Sequence, residues 1–106
     1  MISVAGELDA SNAEQLTDYV QRCADYCEWL VLDLNELEFM GTAGFSALKT
    51  ITERCAQAMI YCTTVSGVAV ARLLRICDPA NTVPTAPSVA VALGAVQGLR
   101  PAQQVL

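Results

Sequence analysis

The segment Trp29–Leu34, with the sequence WLVLDL, constrains the fold of this chain more than any other segment. Five of its six residues are apolar, and they follow one another instead of alternating with polar residues. A strand of this composition is covered on both faces, which is typical of a parallel sheet between two layers of helices. We therefore predict that residues 29–34 form the central strand of such a sheet.

Helical periodicity precedes and follows this strand. Apolar and small residues at helical spacing predict a first helix over about residues 12–27, with Ser11 and Glu14 as the capping box at its start. Thr42 can act as the N-cap of a second helix, and Pro79 ends a third. The buried stripe of a fourth helix is predicted at Val89, Leu93 and Val96.

Short strands are expected between the helices, at residues 2–5, 60–64 and 82–85. Pro84 lacks an N–H group, which places the last of these strands at a sheet edge. Because strand and helix alternate four times, right-handed crossovers put helices on both faces of a largely parallel sheet. The predicted class is α/β, a four-stranded sheet with about four helices in a single domain of 106 residues, whose tail from about residue 99 is loosely ordered.

The composition excludes much enzyme chemistry. The chain contains no histidine, so a Ser-His or Cys-His nucleophilic pair and any histidine-ligated metal site are excluded. A carboxylate pair such as Asp9 and Asp33 would need a pocket that drives the two pKa values apart, and nothing in the spacing requires one. We therefore predict a non-enzymatic protein with no cofactor and no bound metal.

Charge is unevenly distributed along the chain. The formal net charge is -5, with -8 on residues 1–41 and +3 on the remainder. An acidic protein is a poor match for nucleic acid, and the asymmetry either steers a basic partner or only keeps the domain soluble. Neither a leader nor a run of about 18 apolar residues occurs, so we expect a cytoplasmic protein that does not enter the membrane.

Five cysteines raise the question of thiol chemistry. Their number is odd and no C-x-x-C motif occurs, so a disulfide framework is not expected. Cys23 and Cys27 lie four residues apart on the predicted first helix, where Cβ atoms are about 5–6 Å apart, too far for an undistorted disulfide. Either the cysteines serve as small core residues, or Cys23 and Cys27 are candidates for a redox switch.

The carboxyl ends of parallel strands are where ligands bind to open α/β sheets. Here those ends are residues 6–9, 35–42, 65–67 and 85–87, which we expect to form one rim. Thr42 belongs to this rim at the start of a helix, where N–H groups and a partial positive charge tolerate phosphate. Thr42 is therefore either a phosphate acceptor or only a helix cap, which contributes about 1 kcal/mol.

Three separated motifs narrow these alternatives: Gly6–Asp9 (GELD), Val31–Leu34 (VLDL) and Phe39–Gly44 (FMGTAG). In this order and spacing they resemble the STAS domain, specifically the bacterial anti-sigma factor antagonists, over about residues 2–97. The resemblance implies a protein that binds an anti-sigma factor, often a serine/threonine kinase, and so releases a sigma factor and regulates transcription. It implies a binding switch and not a catalyst.

The resemblance also indicates which residues act. The family pattern Asp-Ser-x-Gly falls on residues 41–44, so Thr42 takes the place of the phosphorylated serine, and Gly41 replaces the aspartate that would order the loop. Phosphate on Thr42, near Glu36 and Glu38, is expected to weaken docking of the partner. The predicted partner-binding residues are Glu7, Asp9, Met40, Gly41, Thr42, Ala43, Phe45 and Ser66.

Members of the family usually have one more strand before the one predicted at residues 2–5. Either the sheet here has an open edge, which favours a homodimer through that edge, or the chain is part of a longer protein. An alternative function is a sensor or scaffold of the same fold, controlled by thiol redox or by a small ligand. The five cysteines and the absence of the family aspartate favour this alternative.

Overall fold

The computed structural model describes residues 1–24 and 27–97 of the chain. Strands and helices alternate throughout this part, as the periodicity predicted. The elements are β1 (Ile2–Leu8), α1 (Ala13–Ala24), β2 (Trp29–Met40), α2 (Thr42–Gln57), β3 (Tyr61–Val65), α3 (Gly67–Cys77), β4 (Thr85–Ala86) and α4 (Val89–Ala95).

The four strands form one sheet in the order β1-β2-β3-β4, and each neighbouring pair is parallel. β2 lies between β1 and β3, with Leu32 opposite Ile2 and Trp29 opposite Tyr61. The predicted α/β class, with a four-stranded parallel sheet and four helices, is therefore confirmed.

Helices cover both faces of the sheet, as the continuous apolar run in β2 predicted. On one face, Leu30 and Leu32 pack with buried side chains of α1, α2 and α3. On the other face, Trp29 and Val31 pack with Ala92 of α4. The buried side chains that the three helices contribute to the first face are Leu16, Val20, Cys23, Leu48, Ile51, Cys55 and Val70.

β1 and β2 are both longer than predicted, and this difference decides the shape of the site. β1 ends at Leu8 instead of Ala5, and β2 ends at Met40 instead of Leu34. The register between the two strands shifts twice, which accommodates the polar residues without ending the ladder. The prediction that the strand ends at residue 34 is wrong, because pairing with β1 and burial of every third side chain hold residues 35–40 as part of β2.

The first helix differs from its prediction at both ends. α1 ends at Ala24, so Cys27 lies outside it, and residues 25 and 26 of the predicted helix are outside the described residues. The predicted capping box does not form, because Ser11 lies two residues before the helix and its hydroxyl donates to Asp9 Oδ1 at 2.5 Å. Cys23 and Cys27 therefore do not share one continuous helix, as was predicted, and the Cβ spacing of a helix does not describe this pair.

The last strand and helix are short. β4 has two residues instead of the predicted 82–85, and it lies at a sheet edge, as Pro84 indicated. In α4, Ala92 faces the sheet, whereas Leu93, predicted in the buried stripe, is 37% exposed. The tail from about residue 99, which was predicted to be loosely ordered, lies outside the described residues.

β1 forms the opposite edge of the sheet, where β2 is its strand partner among the described residues. A homodimer through this edge stays a prediction.

Within residues 1–24 and 27–97, none of the helices combines the length and the apolar character needed to cross a membrane.

Candidate functional site

The ends of β1 and β2 meet the start of α2 at one place, which we call the Thr42 corner (residues 7–9 and 39–45). Leu8 lies opposite Met40 in the sheet, and Glu7 lies opposite Phe39. The N–H of Gly41 continues this ladder by donating to the Leu8 carbonyl at 2.9 Å. The first and third sequence motifs are therefore joined by backbone pairing.

The loop after β1 is held by hydrogen bonds around Asp9. Asp9 Oδ1 accepts from the backbone N–H of Ser11 at 2.9 Å as well as from its hydroxyl. The Asn12 side chain accepts from Asp9 N at 2.9 Å and donates to the Glu7 carbonyl at 2.7 Å. The Ser11 hydroxyl, followed by the Ser11 N–H, lowers the pKa of Asp9 below its usual value, so Asp9 places a fixed negative charge beside the corner.

The start of α2 differs from the prediction that Thr42 is its N-cap. Gly41 occupies that position in an extended conformation, with φ -86° and ψ 179°. Its carbonyl accepts from Gly44 N at 3.0 Å and from Phe45 N at 3.3 Å. Because glycine has no side-chain oxygen, the first turn of α2 has no side-chain cap, and Thr42 lies at the first helical position with its side chain exposed.

Gly44 allows the first turn of α2 to pack closely on the strand ends. A Cβ atom at this position would lie 2.5 Å from Met40 Cγ and 3.1 Å from the side chain of Leu8. Met40 is itself only 4% exposed. The side chain of Met40, one of the predicted partner-binding residues, therefore belongs to the core beneath the corner.

The remaining predicted residues of the corner differ in how far their side chains are exposed to solvent. Glu7 is exposed, and Gly41 and Ala43 are half-buried. Phe45 is also half-buried, and its ring packs against the core. The exposed surface of the corner therefore consists mainly of Thr42 and Glu7, with Phe39 beside them.

Ser66 is not brought to the Thr42 corner. Val65 lies opposite Asp33, so Ser66 is level with Leu34, six residues before Met40 on β2. The two register shifts shorten this part of β2, so that the same separation spans only about four residues of β1, or roughly 13 Å along the sheet. The single predicted rim is thus divided into two levels, because β2 has 12 residues and β3 has only 5.

An exposed apolar groove beside the corner was missed by the sequence analysis. Phe39 is 52% exposed, and it lines this groove together with Glu38 at the end of β2 and with Arg72 and Ile76 of α3. Ile76 is 76% exposed. Helical periodicity could have revealed this groove, since Ile76 does not lie on the buried face of α3 that contains Val70.

The carboxylates do not form a catalytic pair. Asp33 lies opposite Ser3 at the beginning of β1, whereas Asp9 follows the other end of that strand. Asp33 Oδ1 accepts from the backbone N–H of Asn35 at 3.1 Å and from its side-chain Nδ2 at 2.8 Å, so this carboxylate has a structural role. Among residues 1–24 and 27–97, no three His, Cys, Asp or Glu side chains are grouped so that they could hold a metal ion.

Comparisons with known proteins agree with the geometry. The model of the STAS domain family matches residues 1–92. The chain is 34% identical over 99 residues to the anti-sigma-F factor antagonist RsfA of Mycobacterium tuberculosis, a match that covers 90% of this chain and 77% of RsfA. A solved structure, an anti-sigma factor antagonist from Mycobacterium paratuberculosis, superposes with a TM-score of 0.74 at 30% identity, covering 90% of this chain and 82% of that one.

A further relative is longer than the matched region. The chain is 35% identical over 74 residues to Osmosensory protein A of Mycobacterium tuberculosis, which covers 70% of this chain but only 47% of that protein. The chain thus spans about half the length of this relative. The family-model match over residues 1–92 and the match to most of RsfA nevertheless agree with the three motifs and the observed fold. This chain belongs to the STAS domain family.

Proposed function

We propose that this protein is an anti-sigma factor antagonist, which binds an anti-sigma factor at the Thr42 corner and thereby releases a sigma factor. The observation that carries the proposal is the corner itself, where backbone pairing between Gly41 and Leu8 presents an exposed Thr42. Two relatives named as anti-sigma factor antagonists each match 90% of this chain, and both matches span residues 39–45 of the corner. The protein acts by binding in the cytoplasm and not by catalysis.

The docking surface extends from the corner into the groove beside α3. Phe39 links the two parts, since its ring lies 3.6 Å from the position that a Cβ atom on Gly41 would take. The exposed side chains of Phe39 and Ile76 offer apolar area, while Glu7 and Glu38 offer negative charge. A partner that buries apolar side chains here and presents basic groups around them fits this surface.

Thr42 is the proposed site at which docking is regulated. Its hydroxyl lies on the exposed first residue of α2, where a helix N-terminus stabilises negative charge. A phosphate would add about -1.5 to -2 charge at a position where the interface fits the neutral threonine hydroxyl. The cost of desolvating this charge, together with its repulsion from Glu7 and the ionised Asp9, outweighs its attraction for basic groups of the partner. Phosphorylation of Thr42 therefore favours the separated proteins.

A binding experiment with matched truncations tests the docking surface. Phe39→Ala removes an exposed aromatic ring at the corner, and Met59→Ala removes a side chain that is 91% exposed at the far end of α2. We expect immobilised wild type and Met59→Ala to capture the same anti-sigma factor from a lysate of the native bacterium, and Phe39→Ala to capture far less. Equal capture by the two variants would place the interface elsewhere.

Variants of Thr42 test the regulation separately. Thr42→Ala should bind the captured anti-sigma factor as wild type does, whereas Thr42→Glu should bind at least about tenfold more weakly, a difference of about 1.4 kcal/mol in binding free energy. Retention of the partner by wild type, Thr42→Ala and Thr42→Glu alike would contradict the phosphate switch and leave the binding role intact. Absence of any anti-sigma factor from all three samples would contradict the proposed function.

A further inference from the structure

A pair of cysteines lies at the opposite end of α2 from the Thr42 corner. Cys55 is in the last part of α2 and is buried, and Cys62 is the second residue of β3 and packs against the same core cluster. Both side chains thus lie on the same side of the sheet, and each influences the pKa of the other. The connection between α2 and β3 folds back tightly, with Ile60 N donating to the Cys55 carbonyl at 2.8 Å, which keeps the two residues together.

A cleft between α1 and α2 leads to Cys55. Cys55 forms part of its lining, together with apolar Val20 and Ile51. At the mouth of the cleft, the Arg54 guanidinium donates a hydrogen bond to the Gln21 side chain. The cleft has a volume of about 770 Å³ and is open to solvent, so a molecule as small as a peroxide can approach Cys55 although this residue is only 4% exposed.

We propose that Cys55 and Cys62 form a reversible intramolecular disulfide when the folded protein reacts with hydrogen peroxide. The Cys55 thiolate attacks one peroxide oxygen, the O–O bond breaks, and the departing hydroxide takes up a proton to become water. Cys55 is then a sulfenic acid. The Cys62 sulfur attacks the Cys55 sulfur as its thiol proton is lost, the S–O bond breaks, and the departing hydroxide takes up that proton to become a second water. Two thiols are oxidised and one peroxide is reduced to two waters.

The different environments of the two thiols define the order of these steps. The hydrogen bond from the Cys62 thiol lowers the pKa of Cys55, because it stabilises the thiolate. The same interaction raises the pKa of Cys62, and burial and the charge of Cys55 add to this effect. Cys55 is therefore the thiol that ionises and reacts first, since the thiolate is the nucleophile.

This modification is distinct from partner docking. Cys55 lies 13 residues after Thr42 on α2, which is about 20 Å along a helix. The disulfide would connect the end of α2 to β3 and leave the Thr42 corner uncovered. The inference therefore stands whether or not the protein binds an anti-sigma factor.

The sequence provides a direct test by peptide mapping. Folded wild type is treated with hydrogen peroxide, its remaining thiols are alkylated in denaturant, and it is digested with trypsin. Cleavage after Arg54 and Arg72 releases peptide 55–72, which contains both cysteines of the pair and no other cysteine. We expect this peptide to carry no alkyl groups and to have a mass two hydrogen atoms below that of the same peptide with two free thiols. When dithiothreitol is added before alkylation, the peptide should instead carry two alkyl groups.

A second cleavage and matched variants complete the test. Chymotrypsin cuts after Tyr61, between the two cysteines, so the fragments should stay joined until they are reduced. Cys62→Ser should abolish the linkage and leave Cys55 as a sulfenic acid that dimedone traps, whereas Cys77→Ser should form the linkage as wild type does. Uptake of two alkyl groups by peptide 55–72 of the treated wild type would overturn the proposal, and so would linkage of Cys55 to Cys27.

Discussion

Individual residues in this fold are constrained mainly where backbone segments approach each other. Gly67, the first residue of α3, has φ +69°, a left-handed conformation that suits glycine. A Cβ atom there would lie 2.8 Å from Asn35 Cα and 3.1 Å from the Leu34 carbonyl oxygen. Both neighbours are backbone atoms of β2 and cannot move aside as a flexible side chain would.

Gly67→Ala is therefore expected to destabilise the protein by at least about 2 kcal/mol, from the combined conformational strain and backbone clash. Gly94→Ala is the matched control, since a Cβ atom on this exposed glycine of α4 would meet no neighbouring atom within 4 Å. It should raise stability by roughly 0.5–1 kcal/mol through better helix propensity. Urea denaturation measures both changes, and a Gly67→Ala variant as stable as wild type would contradict the structural argument.

The ionised form of Asp78 contributes to the stability of the fold. Its carboxylate accepts from the Thr82 hydroxyl at 2.6 Å, from Thr82 N at 2.9 Å and from Val83 N at 3.0 Å. These hydrogen bonds, the Thr82 hydroxyl first, lower the pKa of Asp78 below its usual value of 3.8. Because the folded-state pKa is the lower one, the stabilisation is present above about pH 4 and is lost as pH falls through the folded pKa.

The expected result is that Asp78→Asn lowers the free energy of unfolding near neutral pH and flattens its decline in acid. The exposed Glu53→Gln makes the same change in net charge without these hydrogen bonds, and its acid profile should follow wild type. Denaturant titrations between pH 7 and the acid limit of folding provide the comparison. Parallel profiles for Asp78→Asn and wild type would mean that this carboxylate does not couple ionisation to folding.

Among the elements, β2 has the greatest influence on the site, because its length separates two groups of strand ends. Its second half pairs with β1 and lies beside α3, while β3 ends at the level of Asp33. α2 then begins directly after β2, with Gly41 as its N-cap and without a side-chain cap. The Thr42 corner is consequently formed by β1, β2 and α2, and α3 adds the neighbouring groove.

The uncapped start of α2 gives a prediction about Gly41. Its extended backbone conformation is accessible to any residue, and a Cβ atom would make only ordinary contact with the Phe39 ring at 3.6 Å. Gly41→Asp supplies an acceptor for the N–H groups of the first turn and a favourable charge, so stability should rise by a few tenths to about 1 kcal/mol.

Gly41→Ala is the control for this gain, because it adds a Cβ atom without an acceptor. Alanine caps a helix less well than glycine, so the expected order of stability is Asp, then Gly, then Ala. Urea midpoints at neutral pH establish the order. A gain of equal size in both variants would show that capping is not the cause.

At the scale of the whole molecule, the uneven charge of the sequence becomes a surface property. Among the described residues, the acidic residues of the first 41 positions lie on or beside β1, α1 and β2, whereas Lys49 and Arg54 lie on α2 and Arg72 and Arg75 on α3. The Thr42 corner falls on the acidic side, with Glu7 exposed and Asp9 ionised beside it. Long-range attraction of a basic partner would thus lead to the proposed docking surface.

Association kinetics with the captured anti-sigma factor test this charge effect, which rests on the proposed function. Glu7→Gln should slow association at low salt, whereas Glu53→Gln, with the same net charge but on the later half of α2, should slow it less. The difference should shrink in about 1 M salt, where the Debye length is only about 3 Å. Equal slowing by both variants would indicate that net charge, and not its position, governs the encounter.

Sequence by itself determined the order of elements, the parallel α/β class and the family, because these depend on local periodicity and on motifs made of consecutive residues. Only the tertiary structure decided that residues 35–40 extend β2, that Gly41 instead of Thr42 caps α2, and that Ser66 lies far from the corner. It also brought Cys55 to Cys62. The first three outcomes depend on pairing or packing with a segment distant in sequence, and so local propensity could not reveal them.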